Sequence, residues 1–302
     1  DYVASCIGDP KAAVAEGLFG VWNDVSVVEI VEWMCHWNQI HPDDPLVFFA
    51  WDSQDPLNDL NRIESYVLDY AASPNVLKEG IESCETYGFD DIWDYYDAEL
   101  EVTEQRYLSC MNALEDISQW LASTDSEIPH IDKVKLSIAL RSMQGYEQSS
   151  YLDQQHKNSS DPDYSRQSYN ARDLANADII DIMMTELYPG KKTAIWAHNG
   201  HISLSDVEFG SATPIVNTGS LLRERHGSNY RAIGLIGHEV KINWKTFTDV
   251  EPFAESPVPA LDEVMTIIYT SGSTGNPKGV LHTFESISWT GYNCLEALTV
   301  NA

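Results

Sequence analysis

Two imidazoles three residues apart, His198 and His201, stand in the stretch Trp196-Ala197-His198-Asn199-Gly200-His201. Hydrolysis of an ester needs a base to take a proton from water, donors for the developing oxyanion, and a proton for the leaving alcohol. Histidine suits these tasks because its pKa lies near neutrality. Gly200 permits a tight turn and lets a substrate approach the backbone. The pair also has a purely structural reading, as imidazoles satisfied at the end of an element. An H-x-x-H spacing suits a metal too, but a zinc site needs at least three protein ligands. No third ligand is specified, so no metal is expected. His36, His41, His130 and His156 read as surface or helix-face residues. No Gly-x-Ser-x-Gly elbow occurs, which argues against a serine-hydrolase triad.

Elements must bring such groups together. A helix-like segment closes at Tyr188-Pro189-Gly190, and Thr193-Ala194-Ile195 then reads as a buried strand whose carboxyl edge carries the histidines. Ligands bind at that edge in open α/β sheets. The same order recurs upstream. Val25 to Trp37 is apolar with polar positions every three or four residues, which predicts a helix, capped by Asn23 or Asp24. His41-Pro42-Asp43-Asp44-Pro45 ends it. Leu46-Val47-Phe48-Phe49-Ala50-Trp51 reads as a strand ending at Asp52. Thr213-Pro214-Ile215-Val216 and Tyr230 to Ile236 read as further strands, the latter ending at His238 and Glu239. Asp52 and Glu239, at strand ends, are candidates to orient an imidazole.

Between these strands the chain from Leu57 to about Gly145 is helix-rich. Leu108, Met111, Leu114, Ile117 and Leu121 form a stripe of period 3.6. Glu147 to Gln167 is polar and Ser-rich with Pro162, which predicts a loop or lid. Tyr169 to Leu187 resumes as helix. The expected fold class is α/β: a mainly parallel sheet flanked by helices, with an inserted helical subdomain over about 57–170. Residues 249–260, with Pro252, Pro257 and Pro259, read as a linker. Residues 261–302 read as a short piece of a second α/β domain.

Charge narrows the partners. Eighteen Lys and Arg against 47 Asp and Glu give a net charge of −29. Such a field repels phosphate, so neither nucleic acid nor an anionic membrane surface is an expected partner. Adaptation to a salt-rich medium is a sharper reading of the same charge. No run of 18 apolar residues is present, so no membrane span is expected. The N-terminal residues show no signal peptide. The five cysteines, Cys6, Cys35, Cys84, Cys110 and Cys294, are odd in number and scattered without C-x-x-C. They are expected to be free thiols in a reducing, cytoplasmic compartment. The sequon Asn158-Ser159-Ser160 is accordingly read as chance.

Trp-Ala-His-Asn-Gly-His resembles a hallmark of the erythromycin esterase family, enzymes that hydrolyse the ester of a macrolide lactone ring. The resemblance runs over roughly residues 1–245. It implies a hydrolase of macrolactone esters that uses water, with His198 and His201 as active-site residues and His198 the favoured of the two. No cofactor is implied, and the partner is a small-molecule ester of the macrolide class, hence macrolide resistance. Arg172-Asp173 resembles the start of a family signature that continues with Met and Asn. Asn176 and Ile179 stand at those positions here. Arg172 therefore joins Asp52 and Glu239 as a supporting residue. Trp33, Asn38, Asp52 and Gln54 resemble other recurrent positions. The family's general base is a His in a Gly-Glu-x-x-His-type motif near the N-terminus, and this sequence has none. The expectation is a chain truncated at its N-terminus (residues 1–248 forming the family domain), with impaired esterase activity. A non-catalytic remnant is the alternative.

Residues 269–280, Tyr-Thr-Ser-Gly-Ser-Thr-Gly-Asn-Pro-Lys-Gly-Val, resemble the phosphate loop of adenylate-forming (AMP-binding) enzymes such as acyl-CoA ligases. Glycine backbone N–H groups, hydroxyls and a lysine make a phosphate nest. The resemblance implies phosphate binding by Thr270, Ser271, Gly272, Ser273, Thr274, Gly275 and Lys278. ATP with Mg is the implied cofactor, and an ATP-dependent ligase the alternative function. Substrate identity and oligomeric state stay open.

Overall fold

The structure is a computed structural model that describes residues 2–17, 24–84, 86–89, 102–123, 128–203, 214–233, 264–270 and 278–283. The chain divides into two compact units, Asp1–Trp51 and Asp52–Ala302.

In the first unit, α1 (Tyr2–Ser5) and α2 (Pro10–Gly17) pack on α3 (Val25–Ile40). Helix α3 starts where Asp24 accepts the Ser26 N–H at 2.8 Å, satisfying an orphan donor of the first turn. Val27, Val28 and Val31 bury one side of it with Val3 and Val14. Asn38 holds the unit's far end. Its Nδ2 donates to the Val3 and Leu46 carbonyls, both at 2.9 Å, and its Oδ1 accepts the Leu46 N–H at 2.6 Å.

That clamp accounts for a correction. Residues 46–51, expected as a strand, have no regular secondary structure. A side chain, not a neighbouring strand, satisfies the backbone of Leu46, and Val47 and Phe48 are exposed. Residues 191–198 are also irregular, with Thr193, Ala194 and Trp196 exposed. Ile215 forms only an isolated bridge, and residues 230–233 form no strand. Among the described residues there is no parallel sheet, and the expected α/β class is overturned by a chain that is mostly helical. A short apolar run does not reveal whether it has a ladder partner. The strands that do form, β1 (Val264–Thr270) and β2 (Lys278–Thr283), pair antiparallel, with Thr270 opposite Lys278. Residues 271–277 between them, and residues 234–263, lie outside the described residues.

Among the described residues of the second unit, its interior is built by α4 (Pro56–Tyr70), α5 (Pro74–Ile81), α6 (Glu104–Ser123), α7 (His130–Ser159) and α8 (Pro162–Ile182). Its core follows helical spacing. Leu60, Ile63 and Val67 of α4 meet Cys110, Leu114, Ile117 and Leu121 of α6, and Leu136, Ala139, Leu140 and Met143 of α7. The polar stretch 147–167, expected as a lid, is helical except for the turn at Ser160 and Asp161. Polarity there marks a helix surface. Ser160 takes the left-handed cap (φ 58°), Asp161 accepts the Asp163 N–H, and Pro162 opens α8 at a position that suits proline. A Cβ on Gly145 of α7 would stand 2.3 Å from the Ala175 Cβ of α8. Only glycine permits this approach of the two long helices.

The cysteines also depart from expectation. Cys6–Cys35 and Cys84–Cys110 are disulfides, with Cα–Cα distances of 5.4 and 4.7 Å. Each joins residues 29 and 26 positions apart. Spacing alone did not reveal the pairing because helix packing, not local sequence, brings the thiols together.

Candidate active site

One face of α8 organises the histidine motif. Tyr169, Arg172, Asp173 and Asn176 fall at i, i+3, i+4 and i+7, so they share that face. Asp173 is fully buried. Its Oδ1 lies 2.7 Å from the His201 Nδ1, and its Oδ2 accepts the Thr218 N–H at 2.7 Å. Thr218 opens α10 (Thr218–His226), which Asn217 caps by accepting the Ser220 N–H while the Ser220 hydroxyl serves as partner to the Asn217 N–H. Asp173 thus ties His201 to a helix N-terminus, where partial positive charge favours a carboxylate. Gly219 in that first turn lies against the chain just past the histidines. A Cβ there would meet the Ile202 carbonyl oxygen at 2.3 Å.

His201 is stacked on Tyr169, with ring centroids 5.3 Å apart and planes 9° from parallel. The Tyr169 hydroxyl is 3.3 Å from the His201 Nδ1. Burial, then the charge of Asp173, pushes the Tyr169 hydroxyl pKa upward, so it stays neutral. The His201 side chain keeps 16% exposure while Asp173 has none, so the imidazole reaches solvent from a buried anchor. Because Nδ1 faces a carboxylate oxygen, the proton of the neutral ring sits there, which leaves the lone pair on Nε2.

His198 has the opposite tautomer. It is the N-cap of the one-turn helix α9 (Asn199–Ile202), and its Nδ1 accepts the Gly200 N–H at 3.1 Å. An accepting Nδ1 leaves the proton of the neutral ring on Nε2. Its carbonyl accepts the His201 N–H at 2.9 Å. The histidine pair therefore sits on a helical turn, not at a strand end. A Cβ on Gly200 would lie 3.2 Å from the His198 Nδ1 and 3.5 Å from the Tyr169 hydroxyl, so Gly200 separates the two.

Asp52, a candidate to orient an imidazole, has Arg172 and Asn176 as its partners among the described residues. It grips Arg172 through two hydrogen bonds, Nε to Oδ1 at 2.9 Å and Nη2 to Oδ2 at 2.6 Å. Burial opposes the Arg172 charge, but the hydrogen bonds and charge of Asp52, with Asp173 nearby, outweigh it and raise its pKa. Asn176, fully buried, donates to Asp52 Oδ1 at 3.1 Å. Its own Oδ1 accepts the Ser53 N–H and hydroxyl, both at 3.0 Å.

His198, His201, Arg172 and Asp52 are thus gathered on or beside α8. Glu239 lies outside the described residues, as do Ser271, Gly272, Ser273, Thr274 and Gly275. Thr270 ends β1 and Lys278 begins β2. Sequence reasoning missed Asp173 and Asn176. Asp173 stood beside Arg172 in the quoted signature. Asn176 stood where that signature has Met, and an amide among the apolar positions of a helix was the available signal. Among the described residues the metal-ligand grouping is Cys84, Cys110 and Glu147, whose sulfurs are bonded to one another. No membrane-length apolar helix is present among them.

The family described as Erythromycin esterase matches residues 1–267. The match stops short of the loop at 270–279, and no comparison gives the resemblance to adenylate-forming enzymes a counterpart. No curated protein and no solved structure matches the chain. With 267 of its 302 residues matched, the chain belongs to the erythromycin esterase family.

Proposed function

We propose that the protein hydrolyses carboxylic esters, with His201 as general base and macrolactones as the substrate class. The observation that carries this reading is the His201–Asp173 pair: a partly exposed imidazole on a fully buried carboxylate whose second oxygen is also satisfied. Asp173 fixes the ring and its tautomer and stabilises the imidazolium formed in the reaction. Nε2 of His201 takes a proton from water as the water oxygen attacks the ester carbonyl. A tetrahedral oxyanion forms. His198, with its proton on Nε2, donates a hydrogen bond to that oxygen, and the Arg172 cation adds favourable potential. Collapse breaks the bond to the alkoxide, which receives the proton from His201. Ester and water give acid and alcohol. In a macrolactone both products remain in one opened chain, which would inactivate a macrolide.

The test is incubation with erythromycin followed by mass spectrometry, for the chain and for His201→Ala. A product heavier by one water, formed by the chain and lost in the variant, is the expected result. Equal product from both overturns the role of His201.

A further inference from the structure

The site's departure from the expected signature is itself structured. Asn176 lies where an apolar residue would be unremarkable, yet it is fully buried and makes three hydrogen bonds to two consecutive residues, Asp52 and Ser53. Burying an amide is unfavourable unless its groups are paired. Here both ends are used, and both on the segment that carries the Arg172 partner. The donor end meets Asp52 Oδ1, the oxygen that accepts from Arg172 Nε. The acceptor end fixes the next residue's backbone and hydroxyl. Ser53 is itself almost fully buried. Asp52 is thereby held with both oxygens turned to the guanidinium, the paired geometry that arginine and carboxylate favour.

We infer that Asn176 is a positioning residue: through Asp52 and Ser53 it holds a notch shaped for a guanidinium, and this notch fixes the Arg172 charge beside the His201–Asp173 pair. The inference rests on the hydrolase reading for its consequence in rate, but the notch itself is a binding property and is testable without catalysis.

Arg172→Ala opens the notch. Guanidinium ion, at millimolar concentration and against sodium chloride of equal ionic strength, is expected to bind there saturably and raise the melting temperature. The same addition is expected to restore part of the ester hydrolysis lost in Arg172→Ala. In Arg172→Ala/Asn176→Ala the affinity for guanidinium falls by about tenfold or more, as loss of an ordered charge-assisted geometry implies. Alone, Asn176→Ala lowers kcat by up to about 100-fold with KM little changed, as expected of misplaced charge. The Arg172 Nε–H NMR signal is expected to exchange slowly in the parent, where Asp52 accepts it, and fast in that variant. Asn176→Leu serves if the Ala variant does not fold, and the guanidinium comparison is then repeated with it.

Equal guanidinium affinity with and without Asn176 overturns the inference, even if the chain hydrolyses esters. If guanidinium binding depends on Asn176 but the parent hydrolyses no ester, the positioning stands and the hydrolase reading falls. A kcat unchanged in folded Asn176→Ala, with hydrolysis present in the parent, also overturns it.

Discussion

Within the unit Asp52–Ala302, the interior around α4, α6 and α7 and the polar face of α8 are both buried, yet they are held by different forces. The interior is Ile63, Leu114, Ile117, Leu136 and Met143, all at zero exposure. Its stability comes from apolar area, which is non-directional. The α8 face buries Asp173 and Asn176 at the same depth. Every side-chain oxygen and amide nitrogen of these two residues has a partner at 2.7–3.1 Å. Such a region is directional, and removing one partner leaves another buried and unpaired. Changes in the first region should therefore alter stability and spare activity. Changes in the second should alter activity out of proportion to stability.

The largest effect expected falls on the second region. His201→Ala should lower kcat by about 10³-fold, in the range of a lost general base. His198→Ala should cost nearer 10²-fold, as for one oxyanion donor. Steady-state rates on a shared ester substrate check the order, and a reversed order would exchange the two roles. In the apolar interior, Leu114→Ala should cost about 2–5 kcal/mol by transfer and cavity terms. Urea unfolding measures that cost, and kcat per folded molecule should not change. Reducing the two disulfides should cost about 3.5 kcal/mol each in the chain-entropy account. The melting temperature with and without dithiothreitol reads this, and no change would mean the thiols were free.

Asp59, in the first turn of α4, gives the smallest and most specific test. Burial pushes its pKa up to about 6 against an ordinary 3.8, partly countered by a hydrogen bond from Ser142 and by Arg62. The folded state therefore binds this proton more tightly than the unfolded state. Its contribution to stability rises as pH falls from about 6 toward 4, and is lost as pH rises through 6. Asp59→Asn should remove that dependence and stabilise the protein at pH 7 by about 1–3 kcal/mol. Parallel stability curves for parent and variant would contradict this.

The apolar interior was the more legible region in the sequence. Helical periodicity located α3 and α6, although the buried side of α6 runs through Cys110 while Leu108 faces solvent. The strands were misread at residues 46–51 and 193–195 because apolar character was mistaken for pairing. The Asn38 amide that satisfies Leu46 is not visible in a period. The lid at 147–167 was misread because polarity was taken for irregularity, although Asp161-Pro162 is a good helix start. In the site, residue types and spacing located the two histidines, and Arg172 and Asp52 were named. What joined them was not legible. Asp173 meets His201 across 28 residues, and Asn176 meets Asp52 across 124. Only the course of α8 brings those pairs together. The disulfides escaped for the same reason.

The most direct test of the account is ester hydrolysis by Asp173→Asn at neutral pH, beside the parent and with folding checked by circular dichroism. An amide at that position preserves shape but no longer enforces the His201 tautomer or stabilises its imidazolium. The account predicts a folded protein whose kcat/KM falls by about 10³-fold or more. A folded Asp173→Asn variant with parental kcat/KM would contradict it, and would leave His201 as a structural histidine.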